Sequence, residues 1–177
     1  MGNKKTGFTL VEMLVVVVIA ASVVVLSVPA FTRVQDRSRF DAAKGLLMDL
    51  GMATQSLRAD WTAVNSSADT YPTSSLQVTS AAQSAGTSTS AFATDPLSSQ
   101  SSANFVKILF AKDYLRPIPF DSGTSVYKGY SFYVCKVNAT GGDCCDTKDT
   151  VACMYNSGAG ANYKKARYLE TSGIVRG

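Results

Sequence analysis

Hydrophobic residues are unevenly distributed along the chain, and the longest apolar run lies near the amino terminus. From Phe8 to Val28 the sequence is mainly valine, leucine, isoleucine and alanine, and its single charged residue is Glu12. A run of about 20 apolar residues is long enough to span a bilayer as an α-helix. Lys4 and Lys5 precede the run, and positive charges beside a membrane segment remain cytoplasmic. The pattern therefore predicts a single membrane span at 8–28, with the residues after it exported.

A different periodicity follows Pro29, where apolar residues recur at steps of three and four. This spacing places them along one face of an α-helix, and Thr54 fills the one polar position of the stripe. The stripe comprises Phe40, Ala43, Leu47, Leu50, Leu57 and Trp61. We expect residues 29–62 to be the amphipathic half of one long helix, roughly 80 Å in length at 1.5 Å per residue. Pro29 predicts a kink or local unwinding, and Gly45 and Gly51 each weaken the helix by about 1 kcal/mol.

The remaining residues, 63–177, are expected to form a small globular head. Residues 63–102 are rich in serine, threonine and alanine without periodicity, which indicates a long surface loop. Residues 103–115 have the spacing of a short amphipathic helix. Aromatic and β-branched residues predict strands at 130–137, 151–155 and 166–170, within a region of sheet and cysteine-rich hairpin at 126–177. We therefore predict an α+β fold, in which the long N-terminal helix packs on a small antiparallel β-sheet.

Charge and composition narrow the range of functions. The chain has 17 basic and 13 acidic residues, a formal net charge of +4, and no histidine. Histidine is the commonest general acid or base and the commonest metal ligand. Because the chain has none, we expect neither enzymatic activity nor a cofactor. The positive charge is too small to predict nucleic-acid binding by itself.

Four cysteines, Cys135, Cys144, Cys145 and Cys153, are crowded into one region of the head. An exported location favours disulfides, and four cysteines allow three connectivities. A bond between the adjacent Cys144 and Cys145 requires a strained ring, so we expect each of them to pair with Cys135 or Cys153, in an order that the sequence leaves open. Each short loop closed in this way is worth on the order of 2–3 kcal/mol. The alternative is a four-thiolate zinc site, which adjacent cysteines fit poorly, and we expect no metal.

The amino terminus resembles the class III signal of type IV pilins and their pseudopilin relatives. The residues that carry the resemblance are the short, polar, basic stretch 1–7 and the sequence Gly7-Phe8-Thr9-Leu10-Val11-Glu12 that opens the apolar run. In that family a membrane peptidase cuts after the glycine and methylates the new amino terminus. The resemblance implies a leader at 1–7, cleavage after Gly7, an N-methylated Phe8, and Glu12 as the fifth residue of the mature chain. Pro29 matches a proline at which many pilins interrupt the helix.

Two simpler interpretations of the amino terminus explain less. An ordinary secretory signal has an apolar region of roughly 7–15 residues without a buried charge, whereas this run is longer and contains Glu12. A plain membrane anchor explains the length of the run, but it explains neither Glu12 nor the Gly7-Phe8 junction.

The resemblance implies a structural subunit that is stored in the bacterial inner membrane and then polymerises. The leader would be cytoplasmic and the head exported, first in the membrane and then in a surface pilus or a periplasmic pseudopilus. The implied partners are membrane lipid, a prepilin peptidase, an inner-membrane assembly platform with a cytoplasmic motor ATPase, and copies of the chain itself. In the filament the carboxylate of Glu12 would pair with the methylated amine of Phe8 on an adjacent subunit, and Pro29 would shape the packed helix.

Three functions remain open at this point. The first is a type IV pilus subunit, favoured by the long loop and the cysteines, and the second is a type II secretion pseudopilin. The third is a minor pilin that binds DNA for uptake through a basic group beside two tyrosines, although four charges near a strand are more often a solvated face. The basic residues are Lys164, Lys165, Arg167 and Arg176, and the tyrosines are Tyr163 and Tyr168.

Overall fold

The computed structural model describes residues 9–64, 75–84, 105–119, 125–127, 129–136, 145, 149–156 and 164–176. Three helices and five strands lie in these ranges. The helices are α1 (Leu10–Val64), α2 (Ser80–Ser84) and α3 (Phe105–Ala111). The strands are β1 (Leu76–Gln77), β2 (Tyr130–Val134), β3 (Thr150–Asn156), β4 (Lys165–Leu169) and β5 (Gly173–Arg176). A long N-terminal helix packed on an antiparallel five-stranded sheet is the predicted α+β, pilin-like arrangement.

Helix α1 is uninterrupted over its 55 residues. Its backbone remains helical at Pro29, which does not agree with local unwinding there, and a kink at this residue stays a prediction. The chain divides into two compact units, Met1–Phe40 and Asp41–Gly177, and α1 contributes residues to both. In the part of the chain that the structure describes, no helix combines the length and the apolar character needed to cross a membrane.

The sheet is an antiparallel meander in the order β1-β2-β3-β4-β5. Strands β2, β3 and β4 confirm the three predicted strands, whereas β1 and β5 were not predicted. β1 pairs with β2 through Leu76 opposite Val134, inside the region that was expected to be a long surface loop. Together with α2, it shows that residues 75–84 of that region are ordered. The short helix expected at 103–115 is confirmed as α3.

The core of the second unit lies between α1 and one face of the sheet. The predicted stripe is buried from Ala43 to Trp61, while Phe40 is half-buried. Side chains on alternate positions of the strands point to the same face of a sheet, and this face contributes Phe132, Val134, Ala152, Met154 and Ala166, all fully buried. Thr54 lies within the stripe without an unsatisfied polar group, because its hydroxyl donates to the carbonyl of Leu50 at 2.7 Å.

Helix and sheet approach most closely where Tyr168 of β4 lies against Gly51 of α1. A Cβ atom at Gly51 would lie 2.3 Å from Cγ and Cδ1 of the tyrosine ring. The Tyr168 hydroxyl donates to Oε1 of Gln55 at 3.2 Å, one turn further along the helix. The glycine therefore makes room for the ring, and the hydroxyl holds the ring in place. Gly45, by contrast, has no neighbouring atom within 4 Å of the corresponding position.

Candidate assembly site and cysteine cluster

The start of α1 is a reciprocal cap between Thr9 and Glu12. The carboxylate of Glu12 accepts hydrogen bonds from the Thr9 amide at 2.8 Å and from the Thr9 hydroxyl at 2.9 Å. In return, the Glu12 amide donates to the Thr9 hydroxyl oxygen at 3.3 Å. This is a capping box, in which the residue before the helix and the third helical residue satisfy two backbone N–H groups that have no partner within the helix.

The cap places Glu12 in a role that the sequence analysis did not assign to it. The signal was present, because threonine followed three residues later by glutamate before an apolar run is the capping-box pattern. The expected cleavage after Gly7 would leave the Thr9 amide intact, so all three hydrogen bonds are available to a chain that begins at Phe8. Gly7 and Phe8 lie outside the described residues, and their processing and pairing stay predictions.

Beyond the cap, the first part of α1 presents apolar side chains that the described part of the chain does not cover. Its large apolar side chains from Leu10 to Val24 are 48–80 % exposed. Phe31 and Val34 are likewise 67 % and 66 % exposed. An apolar surface of this extent marks a site of contact with lipid or protein.

The cysteines form a buried cluster on the face of the sheet opposite α1. Cys135 and Cys145 are joined by a disulfide with an S–S distance of 2.07 Å. Cys153 of β3 lies beside them, with its Sγ 3.2 Å from that of Cys145. Tyr133 and Tyr155 pack against the cluster with stacked rings whose centroids are 5.7 Å apart. Of the two partners that the sequence allowed for Cys145, the structure has Cys135, while Cys144 lies outside the described residues.

The three sulfur atoms lie within 4.8 Å of one another, which is close enough for them to share one metal ion. Zinc binds cysteine as the thiolate. Cys135 and Cys145 share a disulfide, Cys153 is disulfide-bonded too, and the described chain contains no free thiol. The donor set therefore does not fit a metal ion, and the cluster is a covalent cross-link within the head.

The basic residues considered for DNA binding do not form an open patch in the described part of the chain. Lys164, Lys165 and Arg167 are each half-buried, and each already makes an interaction within the chain. Arg167 lies opposite Cys153 in the sheet register, which places it beside the cysteine cluster. Arg176 belongs to β5, and Tyr163 lies outside the described residues.

The amino terminus matches a known protein-family model. Residues 2–28 match the prokaryotic N-terminal methylation motif, which is the class III signal peptide of type IV pilins and pseudopilins. No curated protein and no solved structure matches the chain. The motif supports a pilin-like or pseudopilin-like structural protein. It implies processing by a prepilin peptidase, anchoring in a membrane, and assembly with copies of itself into a surface or periplasmic filament.

Proposed function

We propose that this chain is the structural subunit of a type IV pilus. The observation that carries the proposal is the methylation motif on a helix whose first described turns are apolar and exposed on all sides. A side chain of this size gains about 1.5–3 kcal/mol when it moves from water into apolar surroundings. Such a helix therefore needs cover along most of its first half, and lipid before assembly and neighbouring α1 helices afterwards both provide it.

The proposed path begins with the leader on the cytoplasmic side and residues 8–28 in the inner membrane. The prepilin peptidase cuts after Gly7 and methylates Phe8. A cytoplasmic motor, acting through the membrane platform, then moves the subunit into the growing filament. The head is exported. Its disulfide cross-link agrees with this location, because disulfides form in an oxidising compartment.

Glu12 has two successive partners in this scheme. In the single chain its carboxylate is bonded to Thr9. In the filament it pairs with the methylated amine of Phe8 on the neighbouring subunit. Removing one member of a buried pair costs roughly 3–5 kcal/mol, so the pair would fix the axial register of successive subunits.

Intact-mass spectrometry of sheared extracellular filaments, compared with the membrane fraction, tests the proposal. We expect a chain that starts at methylated Phe8 and is abundant in the sheared fraction. The same processed chain confined to the membrane would favour a type II secretion pseudopilin instead. An unprocessed chain starting at Met1 in both fractions would overturn the proposal.

Two substitutions at Glu12 separate its two roles. Glu12→Gln retains the capping box, because glutamine at this position also caps, but it cannot form the charged pair. Glu12→Ala removes both interactions. We expect both variants to be processed and inserted but to be lost from sheared filaments. Normal filaments from Glu12→Gln would refute the pairing role, and loss from Glu12→Ala alone would assign the residue to capping.

A further inference from the structure

The head contains a groove beside the second half of α1. It has a volume of about 520 Å³ and lies between α1 and residues 113–119, which follow α3. Its buried lining is apolar, since Leu46, Ala53, Leu115 and Ile118 are each less than a tenth exposed. The volume lies within the roughly 300–1,000 Å³ of sites that bind ligands or side chains.

The groove wall is held by specific backbone contacts. Asp113, two residues after the end of α3, has a left-handed backbone with φ of 57°, and aspartate is one of the few residues that tolerate this conformation. The Leu115 amide then donates to the carbonyl of Leu109 at 3.0 Å. The Ile118 amide donates to Oε1 of Gln83 at 2.5 Å. The segment 113–119 is therefore held in place by hydrogen bonds, and the shape of the groove is defined by the fold of the head.

Charged side chains surround the apolar lining, and acidic ones predominate. Asp49 of α1 and Asp113 line the groove and are exposed, as is Arg116. Tyr114 also lines it, and its hydroxyl donates to the carboxylate of Asp60. The lining therefore carries two carboxylates and one guanidinium, and a third carboxylate, that of Asp60, is bonded to the lining residue Tyr114. A groove with this combination suits a partner that has apolar residues between cationic ones.

Helix α1 itself carries such a surface, between Phe31 and Arg37. At 3.6 residues per turn, Phe31, Arg33, Val34 and Arg37 fall within an arc of roughly 160°. All four side chains are exposed. This arc contains two apolar and two cationic residues and no acidic residue, because Asp36 falls outside it. An amphipathic helix that lies in a groove through residues spaced by three and four is a common mode of recognition.

We propose that the groove binds the arc formed by Phe31, Arg33, Val34 and Arg37 of a second copy of this chain. Phe31 and Val34 contact the apolar lining, and the two arginines lie against the carboxylates of Asp49 and Asp113. The inference rests on the proposed function and deepens it, because it names the contact by which one subunit's head holds the next subunit's helix. Each chain carries both halves of the contact, so the interaction is head-to-tail and repeats along a filament.

A charge exchange in full-length protein tests the contact. Arg37→Glu and Asp49→Lys should each lower the amount of sheared filament by about tenfold, since each places like charges together. The combination of both substitutions should restore the amount to within about twofold of wild type. Arg39→Glu is the matched control, because it makes the same change in the same segment outside the arc, and it should leave the amount unchanged. A double variant that is no better than either single variant would overturn the proposal.

Cross-linking supplies a readout that does not depend on pili. Arg37→Lys keeps the charge and allows a carbodiimide to join the introduced amine to a carboxylate. With isotopically labelled and unlabelled full-length chains mixed in detergent, we expect mixed-isotope peptides linking position 37 to Asp49 or Asp113. Arg39→Lys should give none. Absence of the mixed-isotope link overturns the groove contact, whereas its presence together with a lack of sheared wild-type filaments would refute the pilus role alone.

Discussion

Gly51 offers the sharpest test of how α1 packs on the sheet. It lies in the middle of a helix, where glycine is about 1 kcal/mol less favourable than alanine, yet the structure leaves no space for a methyl group there. A Cβ at this position would lie 2.3 Å from two ring carbons of Tyr168 and 2.8 Å from a third. Gly45 lies six residues earlier in the same helix and has an open surrounding, so Gly45→Ala is a matched control for Gly51→Ala.

The two substitutions should change the free energy of unfolding in opposite directions. Gly45→Ala gains helix propensity without a clash, so it should raise the free energy of unfolding by about 0.5–1 kcal/mol. Gly51→Ala gains the same amount but must displace the ring from contacts well below the usual separation of about 3.5–4.0 Å. Overpacking costs about 1–3 kcal/mol, and losing the Tyr168 bond to Gln55 costs about 0.5–1.5 kcal/mol more. The net effect should be a loss of about 0.5–4 kcal/mol.

Denaturant unfolding of the full-length protein in mild detergent measures these changes. The single tryptophan, Trp61, is 8 % exposed and reports the loss of the core by its fluorescence. A double-mutant cycle with Tyr168→Ala isolates the contact. In that background Gly51→Ala should become neutral or stabilising, because the ring is gone. Equal effects of the two glycine variants, or an unchanged loss in the Tyr168→Ala background, would refute the packing argument.

Three further predictions concern the cap of α1, the groove and the disulfide pairing. Thr9→Val should remove about 1 kcal/mol of capping and weaken amide hydrogen-exchange protection in the first turn of α1; unchanged protection would contradict the cap. Burial, with help from the hydrogen bond and charge of Asp60, raises the pKa of Tyr114 from its ordinary 10.0 to about 12. Because the folded pKa is the higher one, this stabilisation is complete below pH 10.0 and is lost as the pH rises towards 12. The stability difference between wild type and Tyr114→Phe should therefore change over that window, and a constant difference would contradict the shift. Finally, peptide mapping without reduction should link Cys144 to Cys153, and a bond between Cys144 and any other residue would contradict the pairing.

The second half of α1 and the central strands were predictable because their patterns are long. Six apolar residues at helical spacing predict a buried face, and packing on the sheet buries it. Strand β2 has enough aromatic and β-branched residues to be recognised alone. β1 has two residues and exists because Leu76 and Gln77 pair with β2, so its cause lies elsewhere in the chain. A pattern of two residues has no period, and sequence reasoning could not find it.

The candidate sites were predictable in unequal measure. The motif around Glu12 is local, and the Thr9 cap could have been found from the same residues. The pairing of the disulfide could not be predicted from the sequence, because successive side chains of an extended chain point to opposite sides. Which of two adjacent cysteines faces Cys135 therefore depends on the exact path of the connection between β2 and β3. The groove was equally hidden, since it depends on the left-handed backbone of Asp113.

If the chain assembles as proposed, we expect the exposed half of α1 and Glu12 to contribute at different steps. Eleven large apolar side chains from Leu10 to Val24 are exposed, and covering them is worth on the order of 10–20 kcal/mol relative to water. That gain is present in lipid and in a filament core alike, so it nearly cancels when a subunit passes from one to the other. What would change when the subunit moves from lipid to the filament core is the partner of the Glu12 carboxylate. In the proposed filament the capped carboxylate exchanges an intrachain bond for a charged partner, and removing one member of such a buried pair costs roughly 3–5 kcal/mol. On the proposed function we therefore expect the apolar surface to keep the subunit out of water, and Glu12 to favour the filament over the membrane.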